Sequence, residues 1–292
     1  DLHSFPTRRS SDLHIVIYEN DVWIADHSGG PARRLTTAAG AESAPHFSPD
    51  GSWIAFSGNY DGNVDVYLMR IDGGAPVRLT WHGGPDIVQG FLPDGRVLFS
   101  SYRNLHTDRM QQLFAVSPEG GPPEQLPVPD GDDAQVSADG RRIAYSTMPP
   151  AYKQAIPQAK NYRGGDVSRI WIMDLDDYAV QAIPQPASRC NDLNPVWSNG
   201  RLYFSSDRNG EFNLFSFDPR TGGIEQLTRY DDFPILNLNE GDGHLIYEHA
   251  GSLHVFETAT GSDQPLTIAA AADLRETIWR SEERRVGKEC RS

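Results

Sequence analysis

Apolar and polar residues alternate in short runs along this chain, and the runs return at a regular interval. From Pro45 to Thr80 (PHFSPDGSWIAFSGNYDGNVDVYLMRIDGGAPVRLT) the alternation predicts four strands joined by tight turns. His46–Ser48 is a short first strand, followed by a turn at Pro49-Asp50-Gly51, residues that tolerate turn geometry. Trp53–Ser57 is a second strand, aromatic and apolar as a pleated sheet favours. Val64–Ile71 is a third strand with period-2 alternation, and Val77–Thr80 is a fourth. Such a meander cannot bury both faces alone, so it needs neighbours.

The neighbours are present as repeats. A turn glycine recurs at Gly51, Gly95, Gly140, Gly200 and Gly243, at intervals of 44, 45, 60 and 43 residues. Each is followed by a similar strand (WIAFSG, RVLFSS, RRIAYS, RLYFSS, HLIYEH), and an outer strand ending in Leu-Thr or Leu-Pro recurs at 33–36, 77–80, 124–127, 225–228 and 264–267. A period of roughly 40–45 residues is that of propeller blades. The fold class expected is therefore all-β, a six-bladed β-propeller of four-stranded antiparallel blades over residues 14–268.

In sequence order, 15–19 and 22–26 correspond to second and third strands of a first blade, which leaves that blade incomplete, with an exposed edge. Blade 3 runs from about Val88 to Pro127, blade 5 from Pro195 to Thr228 and blade 6 from Pro234 to Thr267. Blade 4 carries an insertion centred on Met148–Gly165 (MPPAYKQAIPQAKNYRGG), either a surface loop packed on a neighbour or a place where function is added. Residues 269–279 lose the strand pattern and read as a linker toward a missing domain.

The ends change the accounting. Residues 1–13 (DLHSFPTRRSSDL) and 280–292 (RSEERRVGKECRS) fit no blade, and with suitable codons one is the reverse complement of the other. That is the mark of a sequencing adapter read into the frame, so both are excluded from the fold. The net charge of −14 then becomes −16, because the C-terminal stretch has five basic against three acidic residues and the N-terminal one is neutral. Strong acidity argues against nucleic acid or an anionic membrane as partner. Without Cys290, Cys190 has no intramolecular disulfide partner, a usage compatible with the cytoplasm. No apolar run approaches transmembrane length.

The repeat FSPDG-x-x-IAF-S with DG-x-x-D-V-Y and GG-x-x-x-x-LT, carried by Phe47–Gly51, Ile54–Ser57, Asp61-Gly62, Asp65–Tyr67 and Gly73–Thr80, resembles TolB-like propeller repeats. Three further stretches, YENDVWIAD (18–26), TWHGGPDIVQGFLPDG (80–95) and KNYRGGDVSRIWIMDL (160–175), resemble the N-terminal six-bladed propeller of the tricorn protease family. That resemblance implies a cytoplasmic, homo-oligomeric serine peptidase acting on oligopeptides, with its Ser and His in later domains of the same polypeptide, beyond this segment. The segment itself would be non-catalytic, guiding or gating a peptide substrate and supporting assembly. Two alternatives share the repeat: a TolB-like protein-binding propeller of the bacterial envelope, and the accessory propeller of another hydrolase such as a prolyl-oligopeptidase relative.

No Gly-x-Ser-x-Gly, His-Glu-x-x-His or P-loop motif occurs, so no catalytic, metal or cofactor residue is expected. Asp61-x-Asn63-x-Asp65 imitates a calcium loop but has Val66 where that loop needs Gly, and reads as a blade turn. Asp130, Asp132 and Asp133 read as a solvated loop. Arg103 and Arg109, flanking the blade-3 connection, offer bidentate pairing to a peptide carboxylate, with surface solvation as the alternative. Lys160, Tyr162 and Arg163 in the insertion are interface candidates, because Tyr and Arg are enriched at hot spots. The family's use of propeller arginines for a peptide C-terminus maps onto no particular position; His82–Asp86 before blade 3 contains none.

Overall fold

The computed structural model describes residues 13–106, 110–147, 162–165, 167–241 and 243–271. Twenty-four strands and, among the described residues, no helix make six sheets of four strands each, as the repeat predicts. Blade 2 holds β4 (Glu42–Phe47), β5 (Trp53–Gly58), β6 (Asp65–Arg70) and β7 (Val77–Arg78). Blade 3 holds β8 (Asp86–Phe91), β9 (Val97–Ser101), β10 (Gln112–Val116) and β11 (Glu124–Gln125). Blade 4 holds β12 (Asp132–Val136), β13 (Arg142–Thr147), β14 (Arg169–Asp174) and β15 (Val180–Ala182). Blade 5 holds β16 (Asp192–Ser198), β17 (Arg201–Ser206), β18 (Asn213–Asp218) and β19 (Gly223–Gln226). Blade 6 holds β20 (Ile235–Gly241), β21 (His244–His249), β22 (Ser252–Glu257) and β23 (Ser262–Leu266).

Blade 1 is built differently. It contains β1 (Leu13–Tyr18), β2 (Asp21–Asp26), β3 (Gly30–Arg34) and, at its outer edge, β24 (Ile268–Ala270), which runs parallel to β3. Internal hydrogen bonds fix which strand is which. Thr80 Oγ1 accepts from Val66 N (3.0 Å) and Thr228 Oγ1 from Leu214 N (2.9 Å), both on third strands; Thr36 Oγ1 accepts from Val22 N (2.9 Å) in the same way. So β2 is a third strand and β1 a second strand, and β1 pairs only with β2 among the described residues. Among the described residues no strand flanks β1 on its inner side.

Two expectations about the ends shift. The segment expected to leave as a linker from 269 begins as β24, because Gly30 N donates to Thr267 O (2.9 Å) and opens a parallel pairing. Leu13, set aside with the N-terminal stretch, pairs with Asp26; residues 1–12 and 280–292 lie outside the described residues. So does 148–161, most of the blade-4 insertion.

The core lies between blades rather than within them. Val22, Ile54, Phe56, Tyr67 and Met69 join blades 1 and 2. Val66, Val88, Phe99 and Phe114 belong to the cluster between blades 2 and 3, and like clusters join 3 to 4, 4 to 5 and 5 to 6. Where blade 6 meets blade 1, the rings of His14, His27 and His244 adjoin instead, with centroids 4.8 and 4.4 Å apart.

Candidate functional site: the axial channel

The five complete blades place their first strands around the axis, and each of these strands is bulged. Pairing slips between Ser43 and His46, Val88 and Gly90, Asp132 and Gln135, Leu193 and Val196, and Leu236 and Asn239. Four of the bulges carry a non-glycine residue at positive φ: Ala44 (φ 48°), Asp133 (φ 45°), Asn194 (φ 50°) and Asn237 (φ 54°). Asn and Asp are the non-glycine residues that tolerate this conformation best, and a bulge re-aims the side chains beside it. The result is a ring of short polar groups around a cavity of about 1060 Å³.

The ring is tied together across blades. Gln89 Nε2 donates to Asp132 Oδ1 (3.2 Å) while its Oε1 accepts from Ala134 N (3.0 Å), linking blades 3 and 4. Asn194 Nδ2 donates to Asp133 Oδ2 (3.3 Å), and Trp197 N donates to Gln135 Oε1, linking 4 and 5. Asp132, Asp133 and Glu248 line the wall with no Lys or Arg among the described lining residues, so the channel favours cationic over anionic groups. Burial first, and the Asp132 carboxylate second, raise the Asp133 carboxyl to about 7. His46, also in the wall, is lowered to about 4 by burial and stays neutral.

The expectation of a solvated acidic loop at Asp130–Asp133 is corrected here: Asp132 and Asp133 lie in first strand β12 and face the channel. They resemble a loop in sequence because a bulged, channel-facing strand needs neither alternation nor β-branched residues.

Arg103 and the insertion residues lie elsewhere. The Arg103 guanidinium donates to Asp86 Oδ2 (2.6 Å) and Ser101 Oγ (3.1 Å) and lies over Phe99 and Phe114, so it clamps a buried carboxylate within blade 3. Arg163 Nη1 donates to the buried Asp207 Oδ2 (2.6 Å) and Nη2 to Asp207 O (3.0 Å). Asn191 N and Nδ2 donate to the same carboxylate (2.7 and 2.9 Å), and Arg189 Nη1 donates to Gly164 O (2.7 Å). Tyr162–Gly165 is thus fastened onto blade 5, with the Tyr162 ring half-exposed. Arg103 is not brought together with Tyr162 and Arg163, and Lys160 and Arg109 fall outside the described residues. Of the calcium-like acids, Asp61 and Asp65 both accept from Arg78 (3.0 and 2.6 Å).

Fold and channel define a six-bladed propeller with a polar, acidic axial opening. The chain belongs to the family described as the tricorn protease N-terminal beta propeller domain, whose family model matches residues 2–262. Among curated relatives, tricorn protease homolog 1 of Streptomyces coelicolor is 30% identical over 247 residues, covering 84% of this chain and 22% of that protein. The tricorn protease of Thermoplasma acidophilum is 26% identical over 273 residues, covering 88% of this chain and 24% of its own. The chain therefore spans about a quarter or less of these relatives. A tricorn protease crystal structure superposes with a TM-score of 0.74 at 24% identity, covering 87% of this chain and 25% of that one. TolB from Acinetobacter baumannii reaches 0.61 at 16% identity, covering 87% of this chain and 62% of that one, a likeness of fold alone.

Proposed function

We propose that this propeller is a non-catalytic part of a tricorn-like serine peptidase, where its axial channel guides or gates oligopeptides and its blades help hold the larger assembly. The observation that carries the reading is the polar opening ringed by bulged first strands in a chain of this family. A short peptide in such a channel meets hydrogen-bonding side chains at Ser43, Gln89, Asn194 and Asn237, and carboxylates at Asp132, Asp133 and Glu248 suited to its ammonium groups. The serine and histidine of catalysis then lie in other domains of the same polypeptide, working in the cytoplasm as a homo-oligomer.

The test is the reading frame itself, sequenced from source DNA past residues 1 and 292. A downstream peptidase domain with Ser and His supports the proposal. A stop codon close behind residue 277, with a secretion signal upstream, overturns it in favour of an envelope-binding propeller.

A further inference from the structure

The turn from third to fourth strand is built alike in five blades. It closes on Gly29, Gly73, Gly120, Gly222 or Gly261, each with φ between 73° and 107°. Each of these glycines donates its N–H to a carbonyl at or just past the end of the third strand: Asp26, Arg70, Ser117, Asp218 or Glu257. Blade 4 departs from this. Tyr178 takes the glycine position, with the same bond to Asp174 O (2.9 Å) and φ 61°. That conformation suits glycine, and a bulky aromatic residue in it is an outlier. A strained residue that the turn itself does not require points to a use for its side chain.

The side chain has a place to act. The Tyr178 ring is 60% exposed and lines a groove of about 340 Å³ between blades 3 and 4. Leu92, Pro93, Leu126, Pro127 and Leu175 give the groove its apolar surface, and the three leucines flank the core between these blades. The groove shares no lining residue with the axial cavity. Its charged lining residues are Asp94, Glu124 and Arg96. Arg96 donates to both carboxylates, to Asp94 Oδ2 at 2.8 Å and Glu124 Oε2 at 2.6 Å. One guanidinium against two exposed carboxylates leaves this end of the groove net negative, and Asp177, beside Tyr178, is a further exposed carboxylate.

We propose that this groove docks a proline-containing, extended segment of a partner protein that carries Lys or Arg beside its prolines. A polyproline II segment is extended before it binds, and such segments dock in aromatic-lined grooves. The Tyr178 ring and the two prolines offer flat apolar faces to its prolines, and the tyrosine hydroxyl offers a donor to one of its carbonyls. The basic residue pairs with Asp94 or Glu124, and an acidic segment is repelled. The inference goes beyond the channel reading and stands without a downstream peptidase, because it rests on blades 3 and 4 alone.

The test is fluorescence anisotropy of the 292-residue chain with three capped, labelled peptides. These are APPLPPRPA, the same peptide with glycine for every proline, and the same peptide with glutamate for arginine. Saturable binding of the first is expected, and either change should weaken it at least about tenfold. Tyr178→Gly should also cost at least about tenfold, as loss of an aromatic anchor does. Its melting temperature should be no lower than that of the parent, because the turn then carries the residue that the other five blades use. Glu124→Gln alters a side chain that is 75% exposed, and should weaken the arginine peptide about threefold without changing the melting temperature. No binding, equal binding of the three peptides, or binding indifferent to Tyr178→Gly overturns the proposal. A Tyr178→Gly chain that melts below the parent overturns it too, by making the ring a structural part of the turn. So does self-association that Tyr178→Gly abolishes in a chain that binds no peptide, which makes the occupant a second copy.

Discussion

Arg103 of blade 3 donates to the buried carboxylate of Asp86 at 2.6 Å above the rings of Phe99 and Phe114, and Arg208 of blade 5 does the same to Asp192 at 2.8 Å above Phe204 and Phe215. In both blades the guanidinium also donates to a serine hydroxyl two residues back, Ser101 or Ser206. The propeller thus uses one device twice, pinning the start of a first strand to the end of a second.

Removing the cation leaves a carboxylate with no exposed surface and no other ion-pair partner among the described residues. Arg103→Ala is expected to lower stability by about 3–5 kcal/mol in urea titration. Arg141→Ala, which breaks a pair whose members are 64% and 66% exposed, is expected to cost under about 1 kcal/mol. Equal losses in the two variants would contradict the clamp.

Asp133 stands where blades 5 and 6 carry Asn194 and Asn237. Its carboxyl is raised to about 7, by burial first and Asp132 second, so the fold holds a proton that the unfolded chain releases near pH 4. That contribution to stability is present below about pH 4 and is lost as pH rises through about 7. Asp133→Asn mimics the protonated form, so its melting temperature should exceed that of the parent at pH 8 and converge with it near pH 4. A gap that does not change with pH would remove the titration argument.

His14 runs the other way. Burial first, then the neighbouring His27, lower it to about 4, so unfolding takes up a proton at pH values below 6.5. Its contribution is full above pH 6.5 and is lost as pH falls toward 4. Parent and His14→Gln melting curves, measured from pH 7.5 to 4, should differ in slope, with the variant flatter. Parallel curves would show that the seam histidines do not titrate with folding.

The blade periodicity was legible because turn glycines and Leu-Thr outer strands are local signals. The Arg103 clamp was half-legible: SSYR at 100–103 and SSDR at 205–208 repeat, and Asp86 and Asp192 each open a first strand, a pairing the repeat could have revealed. First strands were the least legible elements. β4 begins at Glu42 rather than His46, because the bulge between Ser43 and His46 breaks the alternation that marks a strand. Asp132 and Asp133 were hidden for the same reason. The Arg163–Asp207 pair joins residues 44 apart, and nothing local in either segment announces the other.

Arg163→Ala should therefore read out on blade 5 rather than on the insertion alone. Asp207 keeps its bonds from Asn191 but loses the Arg163 guanidinium, for an expected cost of about 1–3 kcal/mol. Faster exchange of the Asn191 amide would accompany it. A variant as stable as the parent, with Asn191 unchanged, would show that the tether adds nothing to the fold.

The proposed role rests on the channel, and peptide binding is its sharpest test. Fluorescence anisotropy of labelled lysine-containing and glutamate-containing hexapeptides should show saturable binding that favours the cationic peptide and weakens with salt. Ser43→Trp, which adds an indole to the cavity wall, should reduce that binding at least about tenfold while leaving the melting temperature near that of the parent. Absence of binding, preference for the acidic peptide, or binding indifferent to Ser43→Trp would contradict a peptide-guiding channel.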